Sequence, residues 1–113
     1  MRQILVAGTW KMNLLGTAGA ALAGALTAKY QTSSVDILVC PPAPYLASVH
    51  AKVSGSAVRL GGQNLYFAPQ GAFTGEVSGD MLKDVGCSSV LVGHSERRHF
   101  FGETDDLLAK QVV

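Results

Sequence analysis

The amino-acid sequence predicts an α/β fold with a parallel sheet built from about four strand–helix units. Three observations carry that prediction. Four short runs, at residues 4–10, 36–40, 58–63 and 89–93, are near-continuously apolar rather than alternating, the pattern of strands covered on both faces. Segments with helical spacing lie between them. The strand–helix order then repeats without interruption, which implies right-handed crossovers between parallel neighbours.

The first run ends in the polar cluster Gly8-Thr9-Trp10-Lys11-Met12-Asn13. A helix over residues 17–30 follows, with Leu22, Leu26 and Tyr30 at four-residue intervals as one apolar stripe. Gly19 and Gly24 inside it cost about 1 kcal/mol each relative to alanine, so close packing is expected to hold this helix. After the second run, Pro44 suits the first position of a helix that places Leu46, Val49 and Val53 on one face. The third run leads into the longest irregular stretch, residues 64–77, rich in glycine and carrying Phe67 and Phe73. A long loop with exposed aromatic side chains is expected to be functional or an interface. Ser78 is placed to cap a third helix, with Met81, Leu82 and Val85 turned inward and Gly86 ending it. Ser95 is expected to cap a short turn through Phe101, and Thr104 a last helix that holds Leu107, Leu108 and Val112.

Such a sheet can stay open or close into a barrel. A (β/α) barrel of ~250 residues spends about 31 residues on each of eight units, so four units correspond to roughly half a barrel. No linker, low-complexity tract or boundary divides residues 1–113, which read as one incomplete domain, the last helix being cut off without a terminating signal.

Composition narrows the function classes. The chain is 48% hydrophobic with a formal net charge of +1, a globular balance without the field that gathers nucleic acid or an anionic membrane. No apolar run approaches the ~20 residues of a membrane span, and Lys11 arrives too early for a secretory signal. Two cysteines, Cys40 and Cys87, are too few for a disulfide framework and are expected to be reduced, mostly buried thiols of a cytoplasmic protein. No zinc, nucleophile-elbow or P-loop motif is present. The glycines at 16, 19 and 24 lack dinucleotide-binding spacing, and Asp36 begins the second strand where a ribose-binding acid should end it.

Chemistry-bearing residues gather where strands are expected to end. The hexapeptide Gly93-His94-Ser95-Glu96-Arg97-Arg98 follows the fourth run directly. A lone histidine is ordinarily a hydrogen-bonded core residue. His94, however, falls at a C-terminal strand end, where barrel enzymes place their chemistry. A helix start beside it disfavours positive charge and so favours a neutral imidazole, which donates one hydrogen bond and polarises a carbonyl. Lysines are ordinarily solvated. Strand alternation nevertheless puts Leu5, Ala7, Thr9 and Lys11 on one face, so Lys11 is expected to emerge at the barrel mouth in a charge-stabilising role. Glu96 follows the fourth run closely enough to reach the strand ends and pair with Lys11. Glu76 and Arg97 carry opposite charges on neighbouring loops and are expected to form a weak rim salt bridge.

These segments resemble triosephosphate isomerases. The resemblance runs through GTWKMN at 8–13, CPP at 40–42, GQN at 62–64, QGAFTGEVSGDMLKDVG at 70–86, GHSERR at 93–98 and FGETDDLL at 101–108. It implies the N-terminal half of a (β/α)8 TIM barrel. It further implies a cofactor-free enzyme that interconverts dihydroxyacetone phosphate and glyceraldehyde 3-phosphate through an enediolate. The neutral histidine beside a helix N-terminus is a known feature of that family, not an inference from this chain. By resemblance, His94 is that electrophile and Lys11 offsets substrate and enediolate charge. Ser95 matches the serine that holds the catalytic glutamate in the unliganded site, and Glu96 the carboxylate beside the lysine. The loop at residues 64–78, with Phe73, Thr74, Gly75 and Glu76, resembles the arm that enters the other subunit of a homodimer. There Glu76 meets the position of Arg97, which would make the rim pair an intersubunit contact. Two departures accompany the match. Thr9 stands where the family usually has asparagine, and a hydroxyl lacks the reach and second donor of an amide. The family's catalytic glutamate, lid and phosphate loops match no residue up to Val113, so these residues alone are expected to be inactive. Competing expectations are a non-catalytic half-barrel interaction module and a different barrel enzyme acting on a sugar phosphate.

Overall fold

The computed structural model describes residues 2–113. Four strands, β1 (Leu5–Thr9), β2 (Asp36–Cys40), β3 (Val58–Gly62) and β4 (Ser89–Val90), pair in parallel in the order β1-β2-β3-β4. Each strand neighbours the next one in sequence. The crossovers hold α1 (Gly16–Lys29), a 3-10 turn (Ala43–Tyr45) that runs into α2 (Leu46–Val53), and α3 (Gly79–Val85). Helices α4 (Ser95–Phe101) and α5 (Asp105–Val112) follow β4. This is the half-barrel that the alternating pattern predicts. No helix among the described residues is long and apolar enough to cross a membrane.

Strand pairing decides which side chains meet the helices. Val39 stands opposite Leu60, and Ile37 opposite Val58, so alternation puts all four on one face. That face packs with Trp10, Ala23, Leu46, Val49, Val53 and Leu82 as the core. Leu46, Val49 and Val53 bury together as their spacing requires. Fully burying side chains of this size contributes about 1.5–3 kcal/mol each. The cap positions of α3 also stand as expected: the Ser78 hydroxyl accepts from the Met81 amide at 3.1 Å, and Gly86 closes the helix in the left-handed conformation.

Several expectations are corrected. Strand β1 is not covered on both faces: Leu5 and Val6 are 58% and 56% exposed. It is an edge strand among the described residues, with β2 on one side and no strand on the other. Helix α1 buries Gly19 and Ala23 most deeply; of the expected stripe, Leu26 and Tyr30 pack half-buried against the core and Leu22 is exposed. The indole of Trp10 takes the space a side chain at residue 19 would fill, lying 3.3 Å from an added Cβ. A leucine-lined contact would hold the helix farther out. Met81 and Val112 also face outward, because only one face of each short helix meets the core. Pairing in β4 covers Ser89–Val90 rather than the whole run to residue 93; the Leu91 amide adds one more bond to the Gly62 carbonyl at 2.9 Å.

The edge at β1, like that at β4 unpaired among the described residues, has a measurable consequence. Unpaired backbone flanked by Ile4, Leu5 and Val6 is a template for further strand pairing. Residues 1–113 produced alone are expected to associate with rising concentration in sedimentation velocity, and Val6→Lys to reduce the association. A sharp monomer with a cooperative melt would contradict this.

Both cysteines are free thiols, Cys40 buried and Cys87 half-buried. Burial, with a smaller contribution from Cys87, pushes the Cys40 thiol up to about 11. Alkylation by iodoacetamide at pH 8 is expected to be roughly 100-fold slower than for an exposed cysteine, because the thiolate is the reactive form. A raised value means that folding favours the protonated thiol. This contribution is complete below the unfolded cysteine's ordinary range and is lost as pH climbs through about 11. Thermal stability is expected to fall over that alkaline interval and to fall less in Cys40→Ala.

Candidate active site

Four strand ends and one helix start build a cleft of about 510 Å³. Thr9 reaches it at the end of β1 and Lys11 just beyond, Pro42 and Ala43 after β2, Gln63 after β3, and His94, Glu96 and Arg97 after β4. The cleft lies at the C-terminal ends of the strands, the functional face of barrels.

His94 is itself the N-cap of α4, which corrects the expectation that Ser95 caps it. Its Nδ1 accepts the backbone N–H of Glu96 at 3.1 Å. A ring nitrogen that accepts cannot carry a proton, so the neutral ring holds its hydrogen on Nε2. Glu96 Oε2 also lies 3.7 Å from Nδ1. The shorter contact takes the lone pair, so this longer approach is not an ion pair while the cap is intact. Ser95 becomes the first helical residue and is exposed.

Lys11 reaches the cleft by a route that alternation does not describe. Pairing ends at Thr9, and Lys11 has φ +56°, a left-handed conformation that costs a non-glycine residue roughly 1–2 kcal/mol. Leu14 is left-handed as well, at φ +72°. The side chain of Asn13 fastens this loop by donating to the Trp10 carbonyl at 2.8 Å, and that of Gln63 donates to the Lys11 carbonyl at 2.8 Å. From that backbone the Lys11 ammonium meets Glu96 Oε1 at 2.7 Å. The ammonium's hydrogen bond holds the Glu96 carboxyl below its ordinary range. The expected Lys11–Glu96 pair is therefore formed, and a single carboxylate spans the distance between the lysine and the histidine.

The expected Glu76–Arg97 pair does not form within the chain. Arg97 Nε donates instead to Glu103 Oε2 at 3.0 Å, a buried carboxylate just beyond the end of α4. Glycine at 102, with φ +67°, turns the chain so that residues six apart meet. Glu76 lines the cleft but is exposed. The loop at 64–78 carries Phe67 and Phe73 half-exposed, both packed on Tyr66 with ring centroids 4.4 Å apart. Thr74 and Gly75 at its tip are exposed. Sequence reasoning missed Gln63 and Glu103. Each acts through side-chain contacts that no local pattern signals.

The family model described as triosephosphate isomerase matches residues 4–113. The chain belongs to the triosephosphate isomerase family. It is 52% identical over 112 residues to the triosephosphate isomerase of Rhodopirellula baltica, covering 98% of this chain and 44% of that protein. It is 51% identical over 115 residues to that of Magnetococcus marinus, covering 100% and 45% respectively. The Herpetosiphon aurantiacus triosephosphate isomerase is 47% identical over 112 residues, covering 98% of this chain and 45% of its own. The chain thus spans under half the length of the triosephosphate isomerases it matches.

Proposed function

We propose that these residues form the His94 and Lys11 side of a triosephosphate isomerase site, acting on dihydroxyacetone phosphate and glyceraldehyde 3-phosphate in cytoplasmic glycolysis and gluconeogenesis. The observation that carries the reading is that the Lys11 ammonium, held by the Glu96 carboxylate at 2.7 Å, and the His94 ring, held by the Glu96 backbone N–H at 3.1 Å, line one cleft. A substrate oxygen between those groups would take the Nε2 hydrogen of His94 while the ammonium offsets the charge that develops on it. Both donors are fixed before substrate arrives, which is the condition for stabilising an enediolate without reorganisation. Thr9 offers a hydroxyl at the cleft wall in a substrate-binding position. Ser95, at the exposed start of α4, awaits the catalytic carboxylate, which by family pattern matches no residue up to Val113.

The loop at 64–78 is proposed as a dimer arm. Its exposed Phe73, Thr74, Gly75 and Glu76 support this, as does the lack of an intramolecular partner for Glu76 among the described residues. A homodimer would bring Glu76 to the Arg97 end of a second copy.

The full-length product of the gene that encodes these residues tests the proposal. It is expected to interconvert the two triose phosphates without added metal or cofactor, and His94→Gln to lose at least 100-fold in kcat. An active enzyme indifferent to that substitution would remove His94 from the chemistry.

A further inference from the structure

Gln63 lies immediately after β3 and donates both hydrogens of its carboxamide. One goes to the Lys11 carbonyl at 2.8 Å and the other to the Cys40 carbonyl, also at 2.8 Å. A side-chain amide has two hydrogens to give, and both are used here. The Cys40 carbonyl additionally accepts the Trp10 amide at 3.1 Å, continuing the β1–β2 ladder one step beyond its last paired residue. Cys40 is fully buried and therefore a rigid reference point. Lys11 beside it is exposed and left-handed, so its backbone conformation must be imposed by its surroundings. Gln63 links the rigid point to the strained one.

We propose that Gln63 is the positioning residue for Lys11: by tying the Lys11 carbonyl to the buried end of β2, it imposes the left-handed backbone from which the ammonium reaches Glu96 and the cleft. Gln63 touches neither the ammonium nor His94 and acts only through the main chain. Glutamate at 63 would present acceptors to two carbonyl oxygens. Asparagine is one methylene shorter and cannot span both. The consequence for turnover rests on the function proposed above; the placement of Lys11 does not.

The test uses the full-length gene product with carbon-13 glutamate labels. The titration of Glu96, which faces Lys11 and His94, reports where the ammonium sits. In Gln63→Ala the Glu96 midpoint is expected to rise toward that of an ordinary glutamate while the rest of the spectrum stays native. Gln63→Asn is expected to move it part of the way. Gln63→Ala should change nothing further when added to Lys11→Ala. Triose-phosphate turnover should fall about 100-fold in Gln63→Ala, carried by kcat, since a misplacement near 1 Å costs that much. A Glu96 midpoint unmoved by Gln63→Ala, or an equal further shift in the Lys11→Ala background, would overturn the proposal. Should Gln63→Ala fail to fold, Gln63→Asn gives the same reading. A shifted midpoint in a protein without isomerase activity would uphold the clamp and reject the proposed function.

Discussion

A polypeptide of residues 1–113 alone is expected to turn over no glyceraldehyde 3-phosphate above the uncatalysed rate. Isomerisation requires a carboxylate to move a proton between two carbons, and general acid–base catalysis of that kind contributes about 10²–10⁴-fold. Of the acidic side chains here, Glu96 is engaged by Lys11 and Glu103 by Arg97. A carboxylate stabilised by an ammonium at 2.7 Å is a weakened base. Glu76 lines the cleft, but on an exposed loop where nothing excludes water. The half-barrel also leaves the developing charge open to solvent, which weakens every electrostatic contact in it. Measurement needs a coupled assay with His94→Gln as the control. Turnover by the parent that vanishes in that variant would show that the two donors suffice.

Lys11→Ala in the full-length gene product is expected to lower kcat/KM by about 10²–10³-fold, the usual effect of removing one preorganised donor from a developing oxyanion. The ammonium is half-exposed, so its loss should leave the fold intact; Trp10, not Lys11, supplies this segment's share of the core. A second readout follows from Glu96. Its carboxyl is depressed by Lys11, so the contact stabilises the fold above the ordinary glutamate range. That contribution disappears as pH falls through the lowered value. Without Lys11 the carboxyl should protonate at higher pH, moving the acid limb of any pH profile upward. Unchanged kinetics would mean that the charge at this site comes from another residue.

The legible parts of this fold are those written in local chemistry. Ser78 and Gly86 bound α3 because a hydroxyl and a missing Cβ act within one turn of themselves. The one-face burial of Leu46, Val49 and Val53 follows from helical spacing alone. The pairing of Lys11 with Glu96 could be anticipated because both follow strand ends on the same rim. What misled was whatever depends on a distant neighbour. Leu5 and Val6 read as buried, yet their exposure is set by what lies beside β1. Alternation from Leu5 to Lys11 pointed to the correct cleft for an incorrect reason, since the left-handed turn at Lys11 breaks the alternation. Two adjacent residues, His94 and Ser95, can each cap a helix, and composition does not choose between them; the ring nitrogen wins. The Gln63 bond reaches across 52 positions to Lys11, beyond any sequence pattern.

The sequential order of the sheet bears on how this chain emerges during synthesis. As a ribosome releases it, each new strand finds its docking partner already delivered, with no later segment to await. Nascent β2, β3 and β4 can add one after another, while the first flank stays adhesive throughout. A chaperone that shields Ile4, Leu5 and Val6 would thus guard an edge that none of β2, β3 and β4 covers.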